Sequence, residues 1–210
     1  MKKIYTLLLA SLTLVQFSFA QKDPAAKSVL DKVSANIQNS KGATANFSYA
    51  VKNRKGESQG AAQGRLVVSG NKYHITQGDN EIISNGSQLW NFDKSANEVN
   101  VSTPSTAAGS INPDKLLTGS FSASDFNYKL VSQADGQYHI LLTPADPRKN
   151  FKQIDLYVSK AQNMITKASV LDKSGSTTFF QLSNIKTNVT VAASQFTFDK
   201  AAHPGVEVID

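Results

Sequence analysis

The chain has 210 residues, a formal net charge of +6 and no cysteine. Without cysteine it forms no disulfide and no thiolate metal site, so the fold must depend on one apolar core, for which this length is sufficient. The basic residues are scattered along the chain and not clustered with aromatic residues, which argues against nucleic-acid binding and favours an ordinary solvated surface.

The first 20 residues are organised like an export signal. Lys2 and Lys3 form a positive start, a mostly apolar stretch follows over residues 7–19, and small residues precede a cleavage point after Ala20. The apolar stretch is shorter than the ~20 residues that span a bilayer.

We therefore predict a signal peptide over residues 1–20 and a mature periplasmic domain over residues 21–210. A retained membrane anchor is the alternative. No cysteine follows Ala20 to carry a lipid, and loss of the two lysines lowers the formal charge from +6 to +4. The mature protein is expected to be soluble.

An amphipathic helix is predicted at the start of the mature chain. Asp23 is a typical N-cap residue, and Pro24 suits the first helical position. Apolar residues then recur at helical spacing, and the pattern ends near residues 39–42. Two interpretations stay open: a helix packed on a sheet, or a mobile lid over a cavity. The apolar positions are Ala26, Val29, Leu30, Val33 and Ile37.

From residue 45 the apolar period changes to two, which predicts strands with one buried face. Asn85-Gly86 is a strong hairpin signal within this region. The predicted strands cover residues 45–51, a second strand ending at 68, and then 72–77, 81–84, 88–92 and 98–101.

The alternation stops over residues 102–110, which are small and polar. Asn112-Pro113 resembles a cap followed by a first-position proline, and Gly119 ends the short helix predicted over residues 114–118. Strands resume over residues 127–132, 137–143, 151–159, 164–172 and 176–186, with a last short strand at 195–198.

About eleven hairpin-connected strands predict a mainly β fold. A sheet this wide curls instead of staying flat, so we expect an incomplete, half-open antiparallel β-barrel with a lid of short α-helices.

The chain shows little catalytic chemistry. His74, His139 and His203 are too far apart in sequence for metal-ligand spacing, there is no G-x-S-x-G motif, and the carboxylates fall mainly in turns or on polar strand faces. We expect no enzyme activity, no cofactor and no metal. An enzyme acting on lipid or glycan is the least favoured alternative.

A curled sheet of about eleven strands encloses more space than side chains usually fill. We therefore predict an apolar cavity beneath the helices, although core packing is the simpler interpretation for any single residue. Trp90 is predicted to face away from Leu89 and Phe92. The candidate cavity residues are Phe47, Leu66, Val68, Tyr73, Ile75, Leu89, Phe92, Leu116 and Leu117.

Several motifs, in order, give a family resemblance. They are Ala45-Asn46-Phe47-Ser48, the hairpin over residues 83–93, Leu142-Thr143-Pro144, the segment 195–198 and the closing segment 204–210. Together they resemble the LolA family of outer-membrane lipoprotein carrier proteins of bacterial periplasms.

The resemblance implies a soluble carrier that shields the acyl chains of lipoproteins. It implies an inner-membrane ABC transporter as donor and an outer-membrane acceptor, and we expect a monomer. A lipid-sensing or other lipid- or glycolipid-binding module on the same fold is the alternative. The family often has an arginine that holds the empty carrier closed, but Ser69 occupies that place here, and Arg65 is not an obvious substitute.

Overall fold

The computed structural model describes residues 22–104 and 113–209. The predicted signal peptide and most of the small, polar segment over residues 102–110 lie outside these ranges. No helix in the described ranges has both the length and the apolar character needed to cross a membrane.

Within the described residues the chain forms two α-helices, twelve strands and two 3₁₀ helices. The helices are α1 (Pro24–Gln38) and α2 (Pro113–Thr118), and the 3₁₀ helices are Ala193–Phe196 and Lys200–Ala202. The strands are β1 (Ala43–Lys52), β2 (Ser58–Ser69), β3 (Lys72–Gln77), β4 (Asn80–Ser84), β5 (Leu89–Asp93), β6 (Glu98–Ser102), β7 (Phe126–Ser132), β8 (Gln137–Pro144), β9 (Phe151–Ser159), β10 (Met164–Asp172), β11 (Thr177–Thr187) and β12 (Glu207–Ile209).

All twelve strands belong to one sheet. Its order is β12-β6-β5-β4-β3-β2-β1-β11-β10-β9-β8-β7, and every pair is antiparallel except β12 with β6. In the described part of the chain no pairing joins the edge strands β12 and β7, so the sheet does not close. The prediction of a mainly β, open antiparallel barrel with a few short helices is confirmed.

The start of α1 follows the sequence signal. The Asp23 Oδ1 atom accepts hydrogen bonds from the backbone N–H groups of Ala25 (2.8 Å) and Ala26 (3.4 Å), and Pro24 begins the helix. All five apolar residues predicted for its buried side are buried. The helix therefore presents one continuous apolar stripe to the sheet.

The predicted strand at residues 195–198 is wrong. Ala193–Phe196 forms a 3₁₀ helix near β3 and β4, and the twelfth strand comes from Glu207–Ile209 instead. The short alternation of Phe196 and Phe198 does not distinguish a strand from a turn that buries one ring. Parallel pairing with β6 depends on a contact between distant parts of the chain, which local pattern does not encode.

The sheet has two apolar clusters, one on each face. The inner face is the one that α1 and α2 cover, and it carries the larger cluster. The outer face carries a smaller cluster beneath the C-terminal segment. This outer cluster consists of Ile83, Trp90, Phe92, Val99 and Val206, with Val101 and Phe198 packed against it.

Candidate functional site

The register of β1, β2 and β3 places five predicted cavity residues side by side on the inner face. Partners in antiparallel strands point to the same side of a sheet. Leu66 is paired with Ile75 and Val68 with Tyr73. Phe47 is paired with Gly64, which lies two residues before Leu66 in β2 and therefore on the same face. Leu66 and Val68 are almost completely buried, and Tyr73 is partly buried.

The Phe47 ring lies directly over Gly64. A Cβ atom at position 64 would be 2.7 Å from the Phe47 Cζ atom, and it would also meet the Thr76 carbonyl oxygen. Glycine at this position therefore makes room for an aromatic ring on the inner face.

The predicted residues of β5 divide between the two faces. Ser84 is paired with both Tyr73 and Leu89, so Leu89 shares the inner face with Tyr73. Leu89 is half-buried there. The prediction that Phe92 lines the inner cavity is wrong. Phe92 lies three residues after Leu89, and an odd spacing in a strand places two side chains on opposite faces.

Phe92 belongs to the outer cluster, where its ring centroid is 5.0 Å from that of Phe198 and 4.5 Å from that of His203. Trp90 shares this outer face with Phe92, so the prediction that the two point apart is wrong.

The α2 helix brings Leu116 and Leu117 onto the inner cluster, where both are almost completely buried. It packs against α1, β2 and β10. Gly119 ends the helix with φ +64°, and a Cβ atom there would be 2.6 Å from the Val33 Cγ1 atom of α1. Glycine thus permits both the turn and the close approach of the two helices.

The two helices are attached to the sheet in different ways. The Leu130 N–H donates to Asp23 Oδ2 (2.9 Å), the Asp23 N–H donates to the Tyr128 carbonyl (3.0 Å), and the Asn36 amide donates to the Gln162 carbonyl (3.0 Å). α1 is therefore hydrogen-bonded near both ends. Among the described residues no hydrogen bond or ion pair joins α2 to α1 or to the sheet, so apolar contacts hold it there.

Asp114 is the polar exception beneath α2. Its Oδ1 atom is buried and has no hydrogen-bond partner among the described residues. Burial raises the pKa of this carboxyl group, although the nearby N–H groups of Asp114 and Lys115 and the Lys115 charge oppose the shift. Burial, and then the charge of Asp114, raise the pKa of Tyr73, whose hydroxyl interacts with Ser84. In the sequence Asp114 indicates only a helix start.

Two residues, Ser69 and Arg65, were considered for the place of the family arginine. Neither is hydrogen-bonded to α1 or α2 in the described part of the chain. Ser69 Oγ donates a hydrogen bond to the Lys41 carbonyl at 3.0 Å. Arg65 is paired with Thr76 and alternates with inner-face Leu66, so it lies on the outer face. Arg65 is therefore on the wrong side of the sheet to hold α1 or α2.

A separate cavity of about 870 Å³ lies mainly on the outer face, across β2, β1, β11, β10 and β9. Apolar side chains make the larger part of its wall, and amides, hydroxyls and an ammonium group make the rest, so it is more polar than the inner face. It contains none of the predicted cavity residues. Its outer-face lining includes Ser48, Ala50, Gln63, Tyr157, Lys167, Phe179 and Gln181.

Comparison with known proteins identifies a family. The profile of the family described as "Outer membrane lipoprotein carrier protein LolA" matches residues 38–199. A Haemophilus influenzae protein named outer-membrane lipoprotein carrier protein is 29% identical over 215 residues, covering 100% of this chain and 98% of its own. A Haemophilus ducreyi protein of the same name is 27% identical over 202 residues, covering 94% and 90%.

Two solved structures support the fold alone. An uncharacterized conserved protein from Thermus thermophilus aligns with a TM-score of 0.57 and 14% identity, covering 88% of this chain and 98% of that one. MucB aligns with a TM-score of 0.50 and 13% identity, covering 89% of this chain and 66% of that one.

Proposed function

Because the chain belongs to the LolA family of outer membrane lipoprotein carrier proteins, we propose that it carries acylated lipoproteins through the periplasm. The acyl chains are shielded between the inner face of the sheet and the helices α1 and α2. The protein has no catalytic role in this proposal. Its binding surface consists of Phe47, Leu66, Val68, Tyr73, Ile75, Leu89, Leu116 and Leu117.

The observation that carries this proposal is the purely apolar attachment of α2. Burial of one methylene contributes about 0.8 kcal/mol, and burial of one leucine side chain contributes about 1.5–3 kcal/mol. About three buried methylenes therefore replace the contacts of one leucine, and an acyl chain has enough of them to displace both Leu116 and Leu117. Each hydrogen bond that had to be broken would add about 0.5–1.5 kcal/mol to the cost of the same exchange.

The direction of transport and the partners rest on the family. We propose an inner-membrane ABC transporter as donor, an outer-membrane acceptor, a monomeric carrier and cleavage of the signal peptide after Ala20. The relatives' name, outer-membrane lipoprotein carrier protein, supports this route. A lipid anchor that buries many methylenes would not leave a membrane for water at a useful rate without such shielding.

Recovery of the bound material tests the proposal. The protein is expressed with its own signal, purified from the periplasm without detergent, and extracted for mass spectrometry. Acylated lipoprotein peptides are the expected finding. Free phospholipid as the only occupant would favour the alternative lipid-binding module. Absence of lipid, together with failure to bind a synthetic triacylated peptide, would contradict both.

A matched pair of variants locates the binding surface. Leu89→Glu places a charge at a half-buried position of the inner face and should weaken binding of the triacylated peptide at least about tenfold, because an unpaired charge is costly in an apolar site. Val131→Glu introduces the same charged side chain at a position of β7 where the native side chain is 47% exposed, and it should leave binding unchanged. Equal affinities of the two variants would exclude Leu89 from the surface.

A further inference from the structure

We propose that Asp114 limits how firmly α2 closes on the inner face and so favours the opening through which an acyl chain enters. This inference rests on the proposed function and concerns the regulation of the same site. Asp114 acts on the position of α2, so it is a positioning residue that need not contact the lipid.

The Asp114 side chain has two opposite effects, one on the formation of α2 and one on its docking. Asp114 lies in the first turn of α2, where a carboxylate interacts favourably with the helix N-terminus and the N–H groups of Asp114 and Lys115. Its Oδ1 atom is nevertheless buried without a donor among the described residues. The carboxylate therefore supports formation of α2 while it opposes docking of α2 on the sheet.

The side chains around Asp114 supply little that offsets the cost of burying its Oδ1 atom. The main elements packed against α2 are α1, β2 and β10, and the side chains that they bury in the inner cluster are apolar. The buried hydroxyl of Ser84 interacts with Tyr73. Among the described residues, the titratable side chains that interact electrostatically with Asp114 are Tyr73 on β3 and Lys115 on α2 itself. Tyr73 is neutral below its raised pKa and supplies no opposite charge.

Opening of α2 removes the penalty. In the closed position Leu116 and Leu117 gain apolar burial, whereas the Asp114 Oδ1 atom loses water without gaining a partner among the described residues. Once α2 moves away from the sheet, water can hydrate the Oδ1 atom. Asp114 therefore opposes the two leucines and shifts the empty carrier toward the open form.

The pH dependence has a definite sign. Burial raises the pKa of Asp114 in the closed form above the ordinary value of 3.8. Below 3.8 the carboxyl group is neutral in both forms and carries no penalty. As the pH rises, the open form ionises first, so opening becomes progressively easier until the closed form also ionises. Lipid entry governed by Asp114 is therefore slower in acid than at neutral pH.

The test compares Asp114→Asn with Asp79→Asn, the same chemical change in an exposed turn. Uptake of the uncharged fluorophore N-phenyl-1-naphthylamine is followed by stopped flow between pH 5 and pH 8. An uncharged probe removes any direct attraction to the carboxylate. We expect Asp114→Asn to slow uptake at least about fivefold at pH 7.5, the lower end of the effect of one unsatisfied buried group, and to flatten the pH profile. Asp79→Asn should match the wild type.

Hydrogen exchange in the ligand-free protein provides an independent readout. The backbone amides of α2 should exchange more slowly in Asp114→Asn than in the wild type at pH 7.5, while those of α1 should not change. Equal α2 exchange and equal uptake profiles would overturn the role of Asp114 and leave the proposed function intact. If the wild type takes up neither the fluorophore nor a triacylated peptide, the proposed function fails, and α2 exchange alone then decides the role of Asp114.

Discussion

At the scale of single residues, the inner face depends on close contact between Phe47 and Gly64. The ring occupies the position that a side chain at residue 64 would need, and the Thr76 carbonyl restricts the same space. Backbone atoms on one side and an aromatic ring on the other leave little room for adjustment. A tight contact of this kind makes the local stability sensitive to one methyl group.

Gly64→Ala should therefore lower the free energy of unfolding by about 1–3 kcal/mol, the usual cost of overpacking. Urea unfolding followed by circular dichroism measures the change. Gln63→Ala, an exposed neighbour on the other face, is the control and should change stability by less than about 0.5 kcal/mol. Equal stability of the two variants would mean that Phe47 moves away without cost.

On the outer face, Glu81 forms a small charged network. Its Oε1 atom is 2.6 Å from Lys94 Nζ, and its Oε2 atom is 3.1 Å from His74 Nε2. Burial alone would raise the pKa of Glu81, but Lys94 and His74 together outweigh it and hold the pKa below the ordinary value of 4.5. A carboxyl group whose pKa is lowered by folding stabilises the folded protein when the pH is above the ordinary pKa. This stabilisation is lost as the pH falls through the lowered pKa.

Glu81→Gln should accordingly destabilise the protein at neutral pH. The difference from the wild type should shrink below pH 4.5 and disappear below the lowered pKa of Glu81. Urea midpoints measured between pH 3 and pH 7 test this trend. Glu207→Gln, at an exposed position of β12, should show no such convergence. A difference that stays constant with pH would contradict the electrostatic explanation.

At the scale of secondary-structure elements, α1 and α2 have unequal attachments. α1 is hydrogen-bonded to the sheet near both ends, through Asp23 and Asn36, whereas α2 is held by apolar contacts. Segments with few such restraints open at lower free energy than the whole fold. We therefore expect α2, and not α1, to move first in the proposed entry of an acyl chain.

Asp23→Ala should remove this restraint from α1. It deletes the N-cap and the bond from the Leu130 N–H, so we expect a loss of about 1 kcal/mol and faster hydrogen exchange along α1. Asp31→Ala removes only an exposed ion pair with Lys27 on the same helix and should cost less than about 0.5 kcal/mol. Equal exchange of α1 in the two variants would show that the cap does not secure the helix.

At the scale of the whole molecule, one sheet separates two apolar clusters with different roles. The inner cluster faces the helices, and we propose that it accepts lipid. The outer cluster packs beneath the C-terminal segment through Phe92, Phe198 and Val206. Because no opening of α2 exposes the outer cluster, its contribution is to stability.

Phe92→Leu should therefore lower the urea midpoint while it leaves the dissociation constant for N-phenyl-1-naphthylamine unchanged. Leu89→Ala, on the inner side of the same strand, should weaken binding of the probe with a smaller loss of stability, because Leu89 is only half-buried. Fluorescence titration and unfolding of both variants separate the two roles. A weakened affinity in Phe92→Leu alone would place the binding surface on the outer face.

Alternation and capping were enough to predict most of this architecture. The inner-face positions of Phe47, Leu66, Val68 and Ile75 follow from strand period, and the start of α1 follows from Asp23-Pro24. Phe92 lies an odd number of residues from Leu89, so strict alternation places it on the opposite face, where the structure has it.

By itself the sequence determined the fold class and the order of the elements from α1 to β11, because periodicity, turn residues and capping act over a few neighbouring positions. The family followed from the order of short motifs that resemble those of the LolA family. Only the tertiary structure decided that β12 pairs in parallel with β6, that α2 lacks the hydrogen bonds that secure α1, and that Asp114 Oδ1 is buried without a partner among the described residues. These features arise where segments far apart in sequence meet. Burial and hydrogen bonding there depend on what the rest of the chain brings to each residue.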